Sequence, residues 1–174
     1  MEEKLILVDE IDNQVGVEDK LKAHQEGKLH RAFSIFIFNS QKELLLQKRS
    51  SNKYHSPNTW TNTCCSHPRP GETIEEASHR RLKEEMGLDT ELKEIFSFTY
   101  RHEFEDGLVE NKFDHALIGV YDGEVSFNQN EVEEIMWVRE NKLKEMVKNN
   151  SQTFSVWFLL SYEKVLKYIN ENPA

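Results

Sequence analysis

Hydrophobic residues follow two patterns of spacing along this chain, and the first of them predicts strands. RAFSIFIFN at residues 31–39 is apolar at nearly every position, which is typical of a strand covered on both faces. NSQKE then turns the chain and ELLLQKR at 43–49 returns, so we expect a hairpin. Earlier, LILVDE at 5–10 resembles a first strand and QVG at 14–16 looks like part of a turn.

The second pattern is amphipathic and predicts two helices. TIEEASHRRLKEEMG at 73–87 begins with Thr73 three residues before Glu76, which matches a capping box, and ends at Gly87. SVWFLLSYEKVLKYI at 155–169 carries a single apolar stripe. The members of that stripe are Phe158, Tyr162, Val165, Leu166 and Ile169.

The remaining segments fill in the order of elements. A short helix is expected at 141–148, and the polar stretch 18–28 could hold a short helix or an irregular lid. Further strands are expected in WTNTCCSH, IFSFTYRHEF, NKFDHALIGVYD and EIMWVREN. Strands with helices between them predict an α/β fold, a mixed sheet packed between helices. Because no repeat, low-complexity tract or linker interrupts the chain, we expect a single domain over residues 1–174.

Composition narrows the range of partners. The 174 residues carry a formal net charge of −9, with a sequence pI of about 5.3. This balance argues against a nucleic-acid-binding surface, which needs clustered positive charge, and leaves room for a local basic pocket. We also expect no secretory signal and no membrane span. Adjacent Cys64 and Cys65 cannot cross-link distant segments, so free thiols predict the cytoplasm. The oligomeric state cannot be inferred from these features.

The helix at 73–87 offers the first specific chemistry. Arg80 and Glu84 are four residues apart, as are Arg81 and Glu85, so each pair shares a helix face. One interpretation is a solvated face with weak, exposed ion pairs. Another follows from the spacing, because Glu72, seven further residues and then RRLKEEMGL resemble the Nudix box.

That resemblance has two departures. Ser66 stands where the box begins with glycine, and Arg81 stands where it has its first helical glutamate. In Nudix hydrolases the helix carboxylates hold Mg²⁺ against a diphosphate, since hard cations prefer oxygen ligands. Arginine removes one such ligand and adds a bidentate donor to phosphate. The exchange favours binding an intact diphosphate over hydrolysing it.

Most of the chain, from about residue 20 to 158, resembles the type 1 isopentenyl-diphosphate isomerases of the Nudix superfamily. The matching stretches are KLKAHQEGKLHRAF, LLLQKRSSNKYHSPNTWTNTCCSHP, GETIEEASHRRLKEEMG, FTYR, GLVEN and FSVWF. The resemblance implies a Nudix-like mixed sheet between helices. It also implies isomerisation of isopentenyl diphosphate to dimethylallyl diphosphate in isoprenoid biosynthesis, by protonation and deprotonation of the alkene. The partner is then a small prenyl diphosphate.

The resemblance also implies the catalytic residues. Cys65, two residues before His67, stands at the position of the catalytic thiol, whereas strand alternation turns Cys64 toward the core. By itself, a free cysteine is more often a buried small hydrophobe. Trp157 matches the indole that faces the cationic intermediate, although its periodicity alone makes it a core residue. Tyr100 matches the tyrosine that supports an acidic group.

The ligand and metal positions are implied in the same way. The diphosphate clamp maps to Lys20, Arg49, Lys53 and Arg81, each of which by itself is an ordinary surface charge. His24, His30, His67 and Glu110 map to a divalent metal site, and three histidines with carboxylate suit Mn²⁺ or Zn²⁺. The histidine spacing matches no zinc motif. Glu85 maps to a carboxylate that helps bind Mg²⁺ to the phosphates.

One position departs from the family. The metal site expects a second glutamate two residues after Glu110, and the chain has Lys112 there. In a strand, Glu110, Lys112 and Asp114 share one face. A protonated lysine cannot ligate a metal, and the missing glutamate is also the family's second proton-transfer group.

Three interpretations of Lys112 stay open. The chain is an isomerase weakened by the substitution, an active variant in which Lys112 or Asp114 takes part of the role, or a paralogue that binds diphosphates without isomerising them. A Nudix pyrophosphohydrolase is the further alternative, favoured by Glu72, Glu84 and Glu85 and opposed by Arg81 and the CCSH segment.

Overall fold

The computed structural model describes residues 3–53 and 56–172, and the described strands form one mixed sheet of nine strands. In chain order the elements are β1 (Lys4–Val8), β2 (Gln14–Asp19), α1 (Lys20–Glu26), β3 (His30–Phe38), β4 (Leu44–Arg49), β5 (Trp60–Thr61), β6 (Cys64–Ser66), α2 (Ile74–Met86), β7 (Lys93–Glu103), β8 (Val109–Val120), β9 (Val132–Val138), α3 (Glu140–Asn150) and α4 (Val156–Glu171).

A parallel pair of long strands forms the centre of the sheet. β3 and β8 pair from His30 opposite Lys112 to Phe38 opposite Val120. β7 runs antiparallel along the outer side of β8, and β1 and β2 extend the sheet from the start of β3. The register therefore sets residues 30 and 112 side by side.

β3 and β4 diverge, and the segment 60–66 fills the gap between them. In the described residues these two strands pair at Phe38 opposite Leu44, after which β4 pairs with β9 and β5. Asn62 donates to the carbonyl of Ile35 at 2.9 Å, and the Thr63 hydroxyl donates to the carbonyl of Leu45 at 2.6 Å. Buried polar side chains thus replace the missing strand pairing.

Hydrophobic cores lie on both faces of the sheet, as the sequence predicts for a doubly covered β3. Phe36 and Phe38 face the core made with α3 and α4, whereas Phe33, Ile35 and Ile37 face the core made with α2. This confirms the mixed sheet packed between helices. Among the described residues, the structure contains no helix that meets the length and hydropathy of a membrane span.

The ends of α2 form as the sequence predicts. The Thr73 hydroxyl accepts from the backbone N–H of Glu76, and the Glu76 carboxylate accepts from the backbone N–H of Thr73, both at 3.1 Å. Gly87 ends the helix with φ of 65°. The expected helices at 141–148 and 155–169 and the later strands are also present.

Two expectations near the N-terminus need correction. QVG lies in strand β2 rather than in a turn, because the turn is made earlier, where the Asp9 carboxylate accepts from the backbone N–H groups of Ile11 and Asn13. The hairpin expected between 31–39 and 43–49 is reduced to its first residue pair by the divergence of β4. The stretch 18–28 contains a regular helix, α1, which ends at Gly27.

Candidate active site

A small cavity of about 150 Å³ collects most of the site residues that the sequence predicts. This volume lies below the ~300–1,000 Å³ typical of drug-sized ligands, so the cavity suits a small substrate. The predicted residues in its described lining are Lys20, His24, Arg49, Lys53, Cys65, His67, Arg81, Glu110 and Trp157. The lining also contains Glu3, Asn52, Ser66, Lys112 and Glu131. Tyr100, His30 and Glu85 lie behind these residues.

The two cysteines face opposite ways. Cys64 is fully buried in the core beneath α2, whereas Cys65 faces the cavity. The Cys65 thiol donates to Asn62 Oδ1 and its sulfur accepts from the indole N–H of Trp157, both at 2.9 Å. Burial, followed by the nearby Asp114 carboxylate, raises the pKa of the Cys65 thiol to about 11. The thiol therefore keeps its proton at neutral pH.

Trp157 forms an apolar wall of the site and is almost completely buried. The guanidinium carbon of Arg49 and the Nζ of Lys112 each lie 5.1 Å from the centre of its ring system. Positive charge at this distance from an indole is favourable because of the ring quadrupole. Trp157 is therefore a buried core residue whose ring also faces two protein cations.

A buried acidic group, Glu110, lines the same cavity as Trp157. The Glu110 carboxylate accepts from the Tyr100 hydroxyl at 2.8 Å through Oε2, and its Oε1 lies 3.1 Å from Lys112 Nζ. Burial, followed by the Glu110 charge, raises the pKa of Tyr100 well above its ordinary value. Tyr100 is therefore a neutral hydrogen-bond donor to Glu110.

Ser34 and Asn62, two polar residues next to Cys65, were missed by sequence reasoning. The Ser34 hydroxyl donates to the Asp114 carboxylate at 2.9 Å and lies 3.7 Å from Cys65 Sγ. Burial raises the pKa of Asp114 to about 6. A polar residue within the doubly covered strand RAFSIFIFN must have a buried partner, and Asn62 within WTNTCC carries the same signal.

The four predicted clamp residues meet at the cavity together with two acidic residues that the sequence did not predict. Arg81 Nη2 lies 2.8 Å from Glu131 Oε1, and Lys53 Nζ lies 3.6 Å from the same oxygen. Lys20 Nζ lies 3.3 Å from Glu3 Oε2. Glu131 and Glu3 follow no motif, so only the fold brings them here.

The predicted histidine ligands form a partly buried cluster. The rings of His24 and His30 are 5.1 Å apart, and their Nδ1 atoms bond to the carbonyls of Lys20 and Lys28 at 2.7 and 3.0 Å. His67 Nε2 bonds to Glu3 at 2.9 Å. Burial lowers the pKa of His30 to about 3 and that of His67 to about 4, so both rings are neutral.

Glu85 is enclosed by protein donors. Its carboxylate accepts from Gln47 Nε2 at 2.5 Å and from Arg81 Nη2 at 2.6 Å, and the Cys64 thiol lies 3.8 Å away. It holds Arg81 from behind rather than lining the described cavity wall. The Arg80–Glu84 pair expected from the sequence is also present, at 3.1 Å.

The residues present do not fit the predicted set of three histidines and two glutamates for a metal ion. Lys112 takes the place of the second glutamate, and its ammonium lies beside the first. Within residues 3–53 and 56–172, no three side chains of His, Cys, Asp or Glu converge closely enough to coordinate one ion.

Known structures identify the fold. The NUDIX domain family matches residues 28–158. The chain superposes on the crystal structure of DR0079 from Deinococcus radiodurans with a TM-score of 0.70 and 24% identity, covering 84% of this chain and 90% of that chain. For the MutT protein from Methanosarcina mazei Go1 the TM-score is 0.63 at 18% identity, covering 83% and 96%. The architecture is therefore that of a NUDIX-domain protein.

Similarity to proteins of known name defines the family of this chain more narrowly than the fold does. The chain is 48% identical over 174 residues to isopentenyl-diphosphate Delta-isomerase 2 of Aromatoleum aromaticum, covering 100% of this chain and 92% of that protein. It is 47% identical over 170 residues to the protein of the same name from Photorhabdus laumondii, covering 95% and 96%. The chain belongs to the isopentenyl-diphosphate Delta-isomerase family. Membership implies divalent-metal dependence in general, without specifying the metal.

Proposed function

We propose that this protein isomerises isopentenyl diphosphate to dimethylallyl diphosphate, a step of isoprenoid biosynthesis. The observation that best supports the proposal is one small cavity lined by the Cys65 thiol, the Glu110 carboxylate and the Trp157 indole. Basic side chains line the same cavity. Similarity to isomerases over 174 residues supports the same reaction. We extend the isomerase domain to residues 1–174, beyond the matched range 28–158.

The basic side chains bind the diphosphate. Arg81 and Lys53 share Glu131 as a partner, and Lys20 pairs with Glu3. A diphosphate carries more charge than either carboxylate and offers more acceptor oxygens, so it replaces them as the partner of these cations. The buried Arg81–Glu85 contact fixes the arginine for this purpose.

The proton transfers use the two groups at the apolar end. Because Cys65 keeps its proton, its thiol donates to the terminal alkene carbon, which leaves a tertiary cation. Glu110 accepts the proton that leaves the neighbouring methylene carbon, and proton exchange through the cavity then restores both groups. Tyr100 holds Glu110 in place. Trp157 stabilises the cation and excludes water that would trap it.

The alternative function, hydrolysis of a diphosphate by a Nudix pyrophosphohydrolase, has less support. The carboxylates of the Nudix box that a hydrolase would use for metal binding are each paired with arginine here. Glu72 pairs with Arg80, Glu84 pairs with both Arg80 and Arg81, and Glu85 pairs with Arg81.

The two free thiols further support a reducing, cytoplasmic location.

Proton NMR in deuterated water with isopentenyl diphosphate and Mg²⁺ tests the proposal. We expect deuterium-labelled dimethylallyl diphosphate from the wild type and a rate lower by about 10²–10⁴-fold in Cys65→Ser. Cys64→Ser is the matched control, because it makes the same change on the opposite face, and it should retain most of the activity. Release of pyrophosphate or phosphate instead of isomerisation would contradict the proposal.

A further inference from the structure

Lys112 stands at the position where the family pattern has a metal-binding glutamate, beside Glu110. On β8 it pairs with His30 of β3 on one side and with Tyr100 of β7 on the other. Its side chain is 11% exposed, and its Nζ lies 3.1 Å from Glu110 and 5.1 Å from the ring centre of Trp157. An ammonium group is therefore built into the interior of the candidate active site.

We propose that the Lys112 ammonium is the resident cation of the cluster formed by His24, His30, His67 and Glu110, and that this chain holds no divalent metal ion there. The proposal rests on the mismatch between these residues and the predicted metal site. It does not depend on the isomerase reaction, except for the role in catalysis described below.

Hydrogen-bond chemistry supports the assignment. The bond between His30 Nδ1 and the Lys28 carbonyl requires the N–H at Nδ1, so Nε2 is an acceptor. Among the described residues, the buried His30 Nε2 has no hydrogen-bond partner. An ammonium carries three donors and no acceptor. Lys112, the cross-strand neighbour of His30, is therefore the right kind of group to serve both this nitrogen and Glu110.

Charge balance points in the same direction. Three neutral histidines and two glutamates would offset the two charges of a divalent ion. With Lys112 in place of the second glutamate, the carboxylate and the ammonium already cancel. A divalent ion added to this set would leave two uncompensated positive charges in a buried site, which is strongly unfavourable. The charge of Lys112 therefore disfavours a divalent ion at this cluster.

In the proposed reaction, Lys112 is a positioning residue that acts through Glu110. The close ammonium fixes the orientation of the Glu110 carboxylate, which is the proton acceptor in the proposed reaction. This is the contribution that a metal ion bound to the same carboxylate would otherwise make.

Metal binding by the purified protein tests the proposal directly. Manganese and zinc content is measured by mass spectrometry after dialysis, and Mn²⁺ affinity by calorimetry. The proteins are wild type, His67→Asn, Lys112→Glu and Lys112→Glu/His67→Asn. We expect the wild type to retain neither metal and Lys112→Glu to bind Mn²⁺ at least about tenfold more tightly. His67→Asn should remove that gain, which locates the ion at the cluster.

Two outcomes would overturn the proposal. One is a wild-type protein that binds one equivalent of Mn²⁺ or Zn²⁺ and loses it on His67→Asn. The other is a folded Lys112→Glu variant with no gain in affinity. These titrations need no turnover, so they remain informative if the protein is not an isomerase. If it is one, activity in Mg²⁺ alone should not increase on addition of Mn²⁺ or Zn²⁺.

Discussion

Neighbouring residues of the same chemical type have different roles here because a strand turns them to opposite faces. Cys64 packs under α2, and Cys65 contacts Asn62 and Trp157 at the cavity. The surroundings of Cys65 keep its thiol protonated. Contacts of individual side chains at this scale give the most direct tests of the site.

Tyr100 and Glu110 form a buried hydrogen bond that can be removed with one atom. We expect Tyr100→Phe to lower the free energy of unfolding by about 1–3 kcal/mol, because a buried carboxylate oxygen loses its donor. Turnover should fall while the KM for the diphosphate stays nearly unchanged. Chemical denaturation and steady-state kinetics measure these effects. Tyr121→Phe, which removes an exposed hydroxyl bond to the carbonyl of Glu124, is the control and should change neither.

Glu131 lines the basic end of the cavity, and we expect it to compete with an anionic ligand for Arg81 and Lys53. We expect Glu131→Gln to bind inorganic pyrophosphate several-fold more tightly, because Arg81 and Lys53 lose a negatively charged partner. Calorimetry measures this affinity. Glu134→Gln, on the exposed side of β9, should leave it unchanged. Weaker binding to Glu131→Gln would mean that Glu131 orients the clamp rather than competing with the ligand.

At the scale of elements, helix α2 positions Arg81 at the cavity. Its start is fixed by the reciprocal bonds of Thr73 and Glu76, and its end by Gly87. At Gly87, φ is 65°, and a Cβ built there would overlap the carbonyl oxygen of Ser126. Both the direction and the length of α2 are therefore set by local sequence.

Gly87→Ala tests the helix end. An alanine in the left-handed region costs about 1–2 kcal/mol, and the overlap with Ser126 should add roughly 1–3 kcal/mol. Gly107→Ala is the matched control, since Gly107 has φ of 87° and a Cβ built there meets open space. Thermal unfolding of the two variants should separate the cost of the left-handed backbone from the cost of the overlap with Ser126. Equal destabilisation by Gly87→Ala and Gly107→Ala would mean that the backbone at Ser126 moves away at no cost.

At the scale of the whole molecule, divergence of β3 from β4 creates the site. The gap admits the segment 60–66 and with it Cys65, while the parallel pairing of β3 and β8 aligns Ser34 with the strand that carries Asp114. The Ser34–Asp114 bond joins residues that are 80 positions apart. Burying this carboxyl group has a cost that depends on pH.

We therefore expect Asp114 to make the protein less stable as pH rises. Its pKa is raised from 3.8 to about 6, so between these values the folded protein binds more protons than the unfolded chain, and stability falls with pH. Relative to Asp114→Asn, the wild type should lose about 3 kcal/mol between pH ~3.5 and ~7. Urea denaturation at several pH values measures this difference. A difference that does not vary with pH would contradict the assigned cause.

Local patterns predicted much of this molecule correctly. The capping box at Thr73, the doubly covered strand at 31–39 and the opposite directions of Cys64 and Cys65 each depend on residues that are close in sequence. The turn at Asp9 and the short pairing of β3 with β4 were not predicted. In the second case the deciding partner, β9, lies more than 80 residues further along the chain.

The sequence by itself determined the family, the mixed sheet between helices and the presence of a lysine where a glutamate is expected. Only the tertiary structure decided what that lysine contacts. The register of β3 against β8 and of β8 against β7 sets Lys112 between His30 and Tyr100 and beside Glu110. Likewise, Glu131 reaches Arg81 across 50 residues. Such contacts depend on how distant strands pack, and local periodicity carries no information about that packing.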